Sequence, residues 1–367
     1  MIQIIGSGII GLSIGYRLLK DGFNVEIFGH PFPGESSLAA VGMLAPLIEF
    51  KVAEKKLFDL MSKSKKMWDN FDKNLSKDSN LKSEYQKNNS LAIATTHDDL
   101  EKLKFKVKFY KKFGQVCKLL DKNQTNSLEP NLSTNIKGSI FFNENDQVNA
   151  QLFKKSLLKA FLKLGGKFYA SKKIEGITIE KDKIKLITNF GDHNCNQVIL
   201  AAGAWSREIL LKSFNFSIPM RPIKGITMEF EHIEKIRLFR HNLWFRNIYI
   251  APRIDGKIIV GATEEEVGFR SDVTMHNIFV LINNLWHLIP SSENYKFINF
   301  KSGLRPTTYD GLPIIGTLDN ISKNLICAFG HYRNGILLAP ITAQIISRIL
   351  LNRNKCLFNF LSPNRFK

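Results

Sequence analysis

The chain has 367 residues, a length that suggests two domains. Hydrophobic residues make up 44% and charged residues 23%, a balance that argues against an intrinsically disordered chain. The 52 basic and 33 acidic residues give a formal charge of +19, which would suit a nucleic-acid binder, but the excess is mostly lysine spread along the chain, so we expect a general solvated surface and no nucleic-acid partner. Because we find no run of about 20 apolar residues and no signal-like start, we expect a cytoplasmic protein without a membrane span or a secretory leader.

The amino-terminal segment has the pattern of a strand, a glycine turn and a helix. A strand over 2–5 is followed by Gly6, Gly8 and Gly11 in the spacing GxGxxG, and the helix continues to about Leu19. Gly6 permits a tight turn, Gly8 lets the backbone approach a pyrophosphate, and Gly11 permits close packing of helix on strand. The free N–H groups at the start of the helix favour phosphate. The pattern therefore predicts a dinucleotide site.

The second strand, over 24–28, lacks the residue that normally follows it in such sites. A carboxylate that binds the adenosine ribose belongs just after this strand, where the chain has Gly29 and His30. The absence weakens a NAD interpretation, and the lack of a nearby arginine gives no support to NADP. We hypothesise that the His30 ring, or the backbone at 29–30, takes over the ribose contact; a turn histidine before Pro31 is the alternative.

Helix and strand patterns alternate through the rest of the chain. An amphipathic helix is predicted over 51–75, and a surface helix over 102–112, which Thr96–Asp99 precedes as a capping-box-like start and Gly114 follows as a stop. The other predicted elements are a polar loop over 76–90, a helix over 151–164, strands near 167–169, 174–179, 184–188, 197–202, 227–231, 247–251 and 257–261, a helix over 274–289, and a strand–glycine turn–helix over 325–352.

Glycine turns at strand ends lie in the outer segments, whereas the middle of the chain holds more strands. We therefore expect an α/β fold in which a Rossmann-like nucleotide domain is assembled from discontinuous segments and a mixed-sheet domain is inserted. The expected ranges are 1–75, 140–215 and 301–367 for the nucleotide domain, and 76–139 and 216–300 for the inserted domain.

Cysteine and histidine positions predict neither a disulfide framework nor a metal site. The cysteines are isolated and form no CxxC or Cys/His spacing, which fits a reducing compartment; they are Cys117, Cys195, Cys327 and Cys356. The histidines without another assignment form no ligand set or triad, and we interpret them as structural; they are His97, His193, His232, His241, His276 and His287.

Three long blocks carry a more specific signal than the glycine turn. They are Ser36–Pro46 (SSLAAVGMLAP), Gly303–Gly316 (GLRPTTYDGLPIIG) and Gly330–Pro340 (GHYRNGILLAP), and the shorter segments Ala201–Trp205 and Pro222–Gly225 accompany them. With these blocks in collinear order, the chain resembles the bacterial glycine oxidases, the thiamine-pathway branch of the FAD-dependent D-amino-acid oxidase family. The resemblance implies a Rossmann-like FAD domain with an inserted mixed-sheet substrate domain.

The resemblance also implies FAD as the cofactor. The small-residue run over 39–42 suits close approach of the backbone to a flat isoalloxazine, and the hydroxyls of Ser36 and Ser37 suit phosphate. The predicted cofactor-binding residues are Gly6, Gly8, Ile9, Ile10, Gly11, Gly29, His30, Ser36, Ser37, Val41, Gly42, Met43, Ile174, Gly203, His331, Tyr332, Arg333, Asn334, Gly335, Ile336 and Leu337.

Amino-acid oxidation needs little acid–base machinery, because the flavin accepts the hydride and the protein binds and aims the substrate. By resemblance, Arg305 binds the substrate carboxylate, Tyr249 adds its hydroxyl, and Arg333 lies near substrate and flavin. Glycine oxidases can carry a histidine two residues before that tyrosine; Asn247 stands there in this chain, so we assign no catalytic acid or base.

The expected reaction is oxidative deamination of glycine or another small amine acid, with oxygen as acceptor, an imino acid and hydrogen peroxide as products, and a role in thiamine thiazole synthesis. Three alternatives stay open: an oxidase of an aminomethyl group in tRNA wobble-uridine modification, a membrane-peripheral D-amino-acid dehydrogenase that passes electrons to quinone, and a non-catalytic flavoprotein scaffold. The family resemblance also suggests a homotetramer.

Overall fold

The structure, a computed structural model, describes residues 1–50, 54–180, 183–352 and 358–366. Two sheets organise it, and the site described below lies between them. The first three residues of the helix predicted over 51–75 lie outside the described residues, as does Cys356. The α/β fold expected from the sequence is confirmed.

A six-stranded sheet carries the amino-terminal glycine turn. Its strands in spatial order are β18 (Ile314–Leu318), β19 (Ser322–Phe329), β12 (Gln197–Leu200), β1 (Ile2–Ile5), β2 (Val25–Phe28) and β8 (Lys167–Tyr169). All neighbours are parallel except β18 and β19. Every residue of β1 and β2 is buried, because layers cover both faces of a parallel sheet.

One layer over this sheet consists of helices. They are α1 (Ile9–Lys20), α3 (Lys55–Ser79), α6 (Ala150–Lys163) and α9 (Gly335–Asn352). The opposite layer is an antiparallel sheet with a short helix; its elements are β9 (Ile174–Glu180), β10 (Lys183–Thr188), β11 (Gly191–Cys195) and α7 (Ser206–Phe214). The glycine turn is thus enclosed by structure on both sides.

Helix α9 is long and apolar enough to cross a membrane by length and composition alone, over Tyr332–Leu351. In the fold, 67% of that window is buried, and the helix packs against α1 and α3. A helix that is hydrophobic on all sides is the expected core helix of a large domain.

An eight-stranded sheet forms the second half. Its strands in spatial order are β17 (Tyr295–Thr308), β13 (Met220–His232), β16 (Lys257–Gly261), β15 (Ile248–Pro252), β14 (Asn242–Phe245), β4 (Ser90–Ala94), β6 (Gly138–Phe142) and β5 (Lys118–Asp121). The remaining elements are α2 (Ser36–Ala39), β3 (Met43–Leu44), α4 (His97–Lys112), α5 (Lys122–Leu128), β7 (Asp146–Gln147) and α8 (Met275–Leu288). β13 and β17 pair along their whole length, and β17 also contacts α2. This long ribbon brings the eight-stranded sheet against the nucleotide half.

The structure explains where one predicted helix begins and where another ends. Helix α4 begins with a reciprocal capping box between Thr96 and Asp99, which confirms the surface helix predicted in this region. Helix α3 runs past the expected end at 75, because Asn80 adopts the left-handed conformation (φ 53°) that terminates it only there.

The domain ranges stay a prediction. Two strands cross the expected boundaries, since β6 contains 139 and 140 and β17 contains 300 and 301. β17 does not break at 301 because its pairing with β13 continues to Thr308.

Candidate functional site

A cavity of about 460 Å³ extends from the glycine turn after β1 to the eight-stranded sheet. It is lined by every residue predicted from the sequence to bind cofactor or substrate except Gly11 and Gly29. The structure therefore brings together groups from distant parts of the sequence. No group of three or more potential metal ligands occurs in the described part of the chain.

The glycine turn leaves no space for side chains. Gly6 has φ 114°, and a Cβ there would lie 2.3 Å from the carbonyl oxygen of Ala201. A Cβ on Gly11 would lie 2.0 Å from the carbonyl oxygen of Gly6, so this residue supports the turn from beneath rather than lining the cavity. Gly8 caps α1 without a side-chain hydrogen bond. The arrangement is the backbone cradle that a pyrophosphate requires.

Ser37 connects the second block to this cradle. Its hydroxyl oxygen accepts a hydrogen bond from the Ile9 N–H at 3.1 Å, at the amino end of α1. A hydroxyl that accepts can still donate its proton, so the contact of Ser37 with a phosphate stays a prediction. Short helix α2, which begins at Ser36, places this residue there.

Gly29 has a steric reason to lack the ribose-binding carboxylate. A Cβ at this position would lie 2.5 Å from the Ser7 hydroxyl oxygen. His30 is half-buried, and its Nδ1 is buried without a hydrogen-bond partner among the described residues. The ring packs edge-on against Phe32 at 4.7 Å, and Phe32 stacks on Trp205 at 4.8 Å. An unpaired nitrogen in this position fits a ribose hydroxyl.

The loop over 39–43 is held from behind by Arg253, a residue that sequence reasoning missed. Its guanidinium is buried and donates to the carbonyl oxygens of Val41 at 2.5 Å and Val148 at 3.3 Å. Burial lowers the pKa of Arg253 to about 10. Gly42 has φ 92°, and a Cβ there would lie 1.9 Å from the Val148 carbonyl oxygen. The backbone on the cavity side of this loop is therefore fixed in place.

His331 lies just before the amino end of α9, and its ring makes a contact within the protein core. Its Nε2 lies 3.0 Å from the hydroxyl of Thr342 within the helix, and both residues are buried. Burial lowers the pKa of His331 to about 3, so the ring is neutral. Tyr332 follows with φ 49° in the short turn that starts the helix.

Arg305 extends from β17 and lies over Gly225. Its Nη1 donates to the carbonyl oxygens of Thr263 at 3.0 Å and Lys224 at 3.4 Å. A Cβ on Gly225 would lie 2.1 Å from the Arg305 Nη2, which explains the glycine in the block Pro222–Gly225. No carboxylate pairs with Arg305 among the described residues, so its charge is available to a ligand.

Tyr249 lies beside Arg305 on β15. Burial raises the pKa of the Tyr249 hydroxyl, and the Arg305 guanidinium partly opposes that effect. The hydroxyl is therefore protonated and can donate a hydrogen bond. Two donors from two strands of the eight-stranded sheet thus meet at one end of the cavity.

Arg333 has a partner that the sequence did not indicate. Its Nη2 lies 3.0 Å from Oε2 of Glu49, which is in the turn after β3. Burial alone would lower the pKa of Arg333, but Glu49, Tyr332, Glu264 and Tyr249 together outweigh burial, so the pKa is raised. No motif linked these two positions, since Glu49 lies outside all three blocks.

Comparisons with known proteins agree with this geometry. The sequence model described as DAO, FAD dependent oxidoreductase, matches residues 1–349. The chain is 32% identical over 356 residues to the bifunctional protein ThiO/ThiG of Trichormus variabilis, covering 96% of this chain and 53% of that protein. It is 27% identical over 365 residues to the glycine oxidase of Geobacillus kaustophilus, covering 99% and 95%.

The fold comparison gives the same result. The crystal structure of glycine oxidase from Geobacillus kaustophilus superposes with a TM-score of 0.92 at 28% identity, covering 99% of this chain and 98% of that one. The chain spans about half the length of the first curated relatives that it matches.

Proposed function

This chain belongs to the FAD dependent oxidoreductase family, and from that premise we propose that it oxidises glycine or another small amine acid and feeds thiamine thiazole synthesis. Relatives named glycine oxidase and ThiO/ThiG support the proposal. The observation that carries it is the Arg305 guanidinium, which has no carboxylate partner among the described residues and lies beside Tyr249 in the cavity that starts at the glycine turn.

The residues present fit FAD. The cradle at Gly6 and Gly8 admits a pyrophosphate, the orphaned Nδ1 of His30 suits the adenosine ribose, and the loop held by Arg253 offers a flat backbone surface. When bound, FAD supplies the acceptor for the hydride. The cofactor-binding residues named from the sequence are those that we propose to hold it.

The protein residues bind and aim the substrate. The free N–H groups of Arg305 hold the carboxylate, and the Tyr249 hydroxyl donates a second hydrogen bond, so the Cα–H is directed along the cavity. The amino end of α9 stabilises negative charge that develops nearby. No side chain is needed as an acid or base, and His331 stays neutral.

The overall reaction balances with the amine acid, oxygen and water as reactants. The amine acid loses a hydride and a proton and becomes an imino acid. Unless the imino acid is used first, water converts it to an oxo acid and ammonia, or to an oxo acid and a primary amine where the substrate is a secondary amine. Oxygen takes the two electrons and two protons and becomes hydrogen peroxide. We place this chemistry in the cytoplasm, since Cys117, Cys195 and Cys327 are free thiols.

An anaerobic flavin-bleaching screen tests the function. We expect glycine, sarcosine or D-alanine to reduce the bound flavin, and peroxide to appear when oxygen is admitted. Silence with all three substrates would overturn the substrate class. Bleaching without rapid reoxidation by oxygen would indicate a quinone-linked dehydrogenase instead.

A further inference from the structure

We propose that Glu49 sets the charge selectivity of the substrate end of the cavity, by neutralising Arg333 and so restricting the site to substrates with a single carboxylate. The inference rests on the proposed function, because it defines the substrate class of that same site. It concerns a residue that lies outside every motif recognised in the sequence.

The ion pair is part of the cavity wall. Glu49 and Arg333 both line the cavity, and their oxygen and nitrogen atoms lie 3.0 Å apart. The Glu49 side chain is 16% exposed and the Arg333 side chain 32% exposed. Water is thus partly excluded from the pair, so the attraction is stronger than that of a surface pair.

Glu49 is held in position by the residue that follows it. The N–H of Phe50 donates to the Leu47 carbonyl oxygen at 3.1 Å and closes the turn. The Phe50 ring is buried and packs at 4.3 Å on Phe58 and at 5.4 Å on Phe109. The carboxylate therefore reaches Arg333 without a rearrangement of the loop.

Arg333 is held on the opposite side. Its guanidinium lies over the ring of Tyr332, 5.1 Å from the centroid, in the turn that starts α9. The Tyr332 hydroxyl donates to Glu264, which fixes the ring under the guanidinium. The pair thus joins two anchored segments.

Charge counting gives the selectivity. Among the described residues that line the substrate end of the cavity there are two guanidiniums, Arg305 and Arg333, and one carboxylate, Glu49, so one positive charge of the lining remains for the substrate. Glu264 lies outside the lining, where it accepts a hydrogen bond from the Tyr332 hydroxyl. Two further acidic residues near the Arg305 strand have lysine partners: Glu35 pairs with Lys154, and Glu265 pairs with Lys224. The single carboxylate of a small amine acid binds Arg305. A second carboxylate on the substrate would lie near Arg333, which Glu49 already neutralises, and Glu49 would repel it.

The experiment removes the Glu49 charge and retains the shape. In the holoenzyme, Glu49→Gln leaves Arg333 unpaired and gives the site a second available positive charge. We measure the binding of acetate and malonate by calorimetry, and kcat/KM for glycine and for iminodiacetate. We expect the affinity ratio of malonate to acetate, and the kcat/KM ratio of iminodiacetate to glycine, each to rise by about tenfold or more.

Three variants serve as controls. Glu266→Gln breaks an Arg–Glu pair of similar length, 3.1 Å to Arg221, outside the cavity lining, and we expect both ratios to keep their wild-type values. Glu49→Asp keeps the charge and should keep the wild-type preference. Adding Arg333→Gln to Glu49→Gln should remove the gain.

Unchanged ratios in a Glu49→Gln protein that retains FAD would overturn the proposal. A large loss of glycine affinity with no gain for malonate would also overturn it and would assign Glu49 to the substrate amine. If Glu49→Gln fails to fold, a ratio that rises in Glu49→Asp decides against the charge argument. Calorimetry with malonate measures binding and needs no turnover, so it tests the role of Glu49 even if the wild type oxidises no amine. Failure of this proposal can therefore be told apart from failure of the proposed function.

Discussion

Arg305 is the residue on which substrate binding depends most directly. Arg305→Ala removes the only charge at this end that no carboxylate neutralises within the described structure, and we expect KM for the amine acid to rise by about 30-fold or more while FAD stays bound. Steady-state kinetics together with the flavin absorbance of the purified protein measure both effects. Arg221→Ala, at a surface ion pair, is the matched control. Loss of FAD from Arg305→Ala would show that this residue has been assigned to the wrong ligand.

His30 tests how the chain manages without a ribose-binding acid. If the orphaned Nδ1 contacts the ribose, His30→Ala loses one hydrogen bond, and the FAD dissociation constant rises by about fivefold. Titration of apoprotein with FAD measures the constant. His97→Ala at the start of α4 is the control, because that histidine lies far along the chain on a surface helix. An unchanged affinity would leave His30 as a turn residue.

His331 makes stability depend on pH. Its pKa is about 3 in the folded protein against an ordinary value of 6.5, so the unfolded state binds the proton more tightly over the range between them. Stability is therefore complete above pH 6.5 and falls as pH drops through that window, by up to about 1.4 kcal/mol per pH unit.

Urea unfolding at several pH values measures the effect of His331. The free energy of unfolding of the wild type should decline more steeply from pH 7 to pH 5 than that of His331→Gln, which retains a side chain able to bond Thr342. Parallel curves for the two proteins would contradict the assignment.

Residues show where the sequence was informative and where it was not. The glycines of the turn were predictable, because backbone conformation alone demands them. The Glu49–Arg333 pair was not, since the two residues are distant in sequence and meet only in the folded chain, where Phe50 beside Glu49 packs on Phe58. The same holds for Arg253, whose described short contacts are chiefly with carbonyl oxygens, a kind of partner that leaves no mark on side-chain patterns.

At the scale of elements, the loop over 39–43 depends on one backbone conformation. Gly42→Ala places a methyl group 1.9 Å from the Val148 carbonyl oxygen and strains a φ of 92°, so we expect the loop to shift and FAD to be lost. The flavin content of the purified protein and its urea midpoint measure this. Gly114→Ala, with φ 68° and open space around it, carries the strain without the collision and should keep FAD.

Element boundaries followed local signals only in part. The capping box of α4 was readable from Thr96 and Asp99, because a cap is local chemistry. The continuation of β17 through residue 301 was not readable, because its length is set by pairing with β13, a partner distant in sequence. The start of a capped helix was thus easier to predict than the end of a long paired strand.

For the whole molecule, the position of the cavity between two sheets makes the cofactor a stabiliser of their arrangement. We expect FAD at about 100 times its dissociation constant to raise the free energy of unfolding by about 2.7 kcal/mol over the apoprotein. Differential scanning calorimetry with and without FAD measures the shift. Adenosine at the same concentration is the control, because it cannot reach the eight-stranded sheet. Equal melting temperatures for apoprotein and holoprotein would contradict this account.

Strand β15 has a consequence for the spacing of the reacting groups. Tyr249 lies on it and Arg253 directly follows its end at Pro252. The residue proposed to aim the substrate and the residue that anchors the loop over 39–43 are therefore four positions apart along the chain. That segment is about 13 Å long, so one strand sets the separation between the two side chains. We therefore expect a single-residue deletion between Tyr249 and Arg253 to change the distance between the substrate and the loop over 39–43.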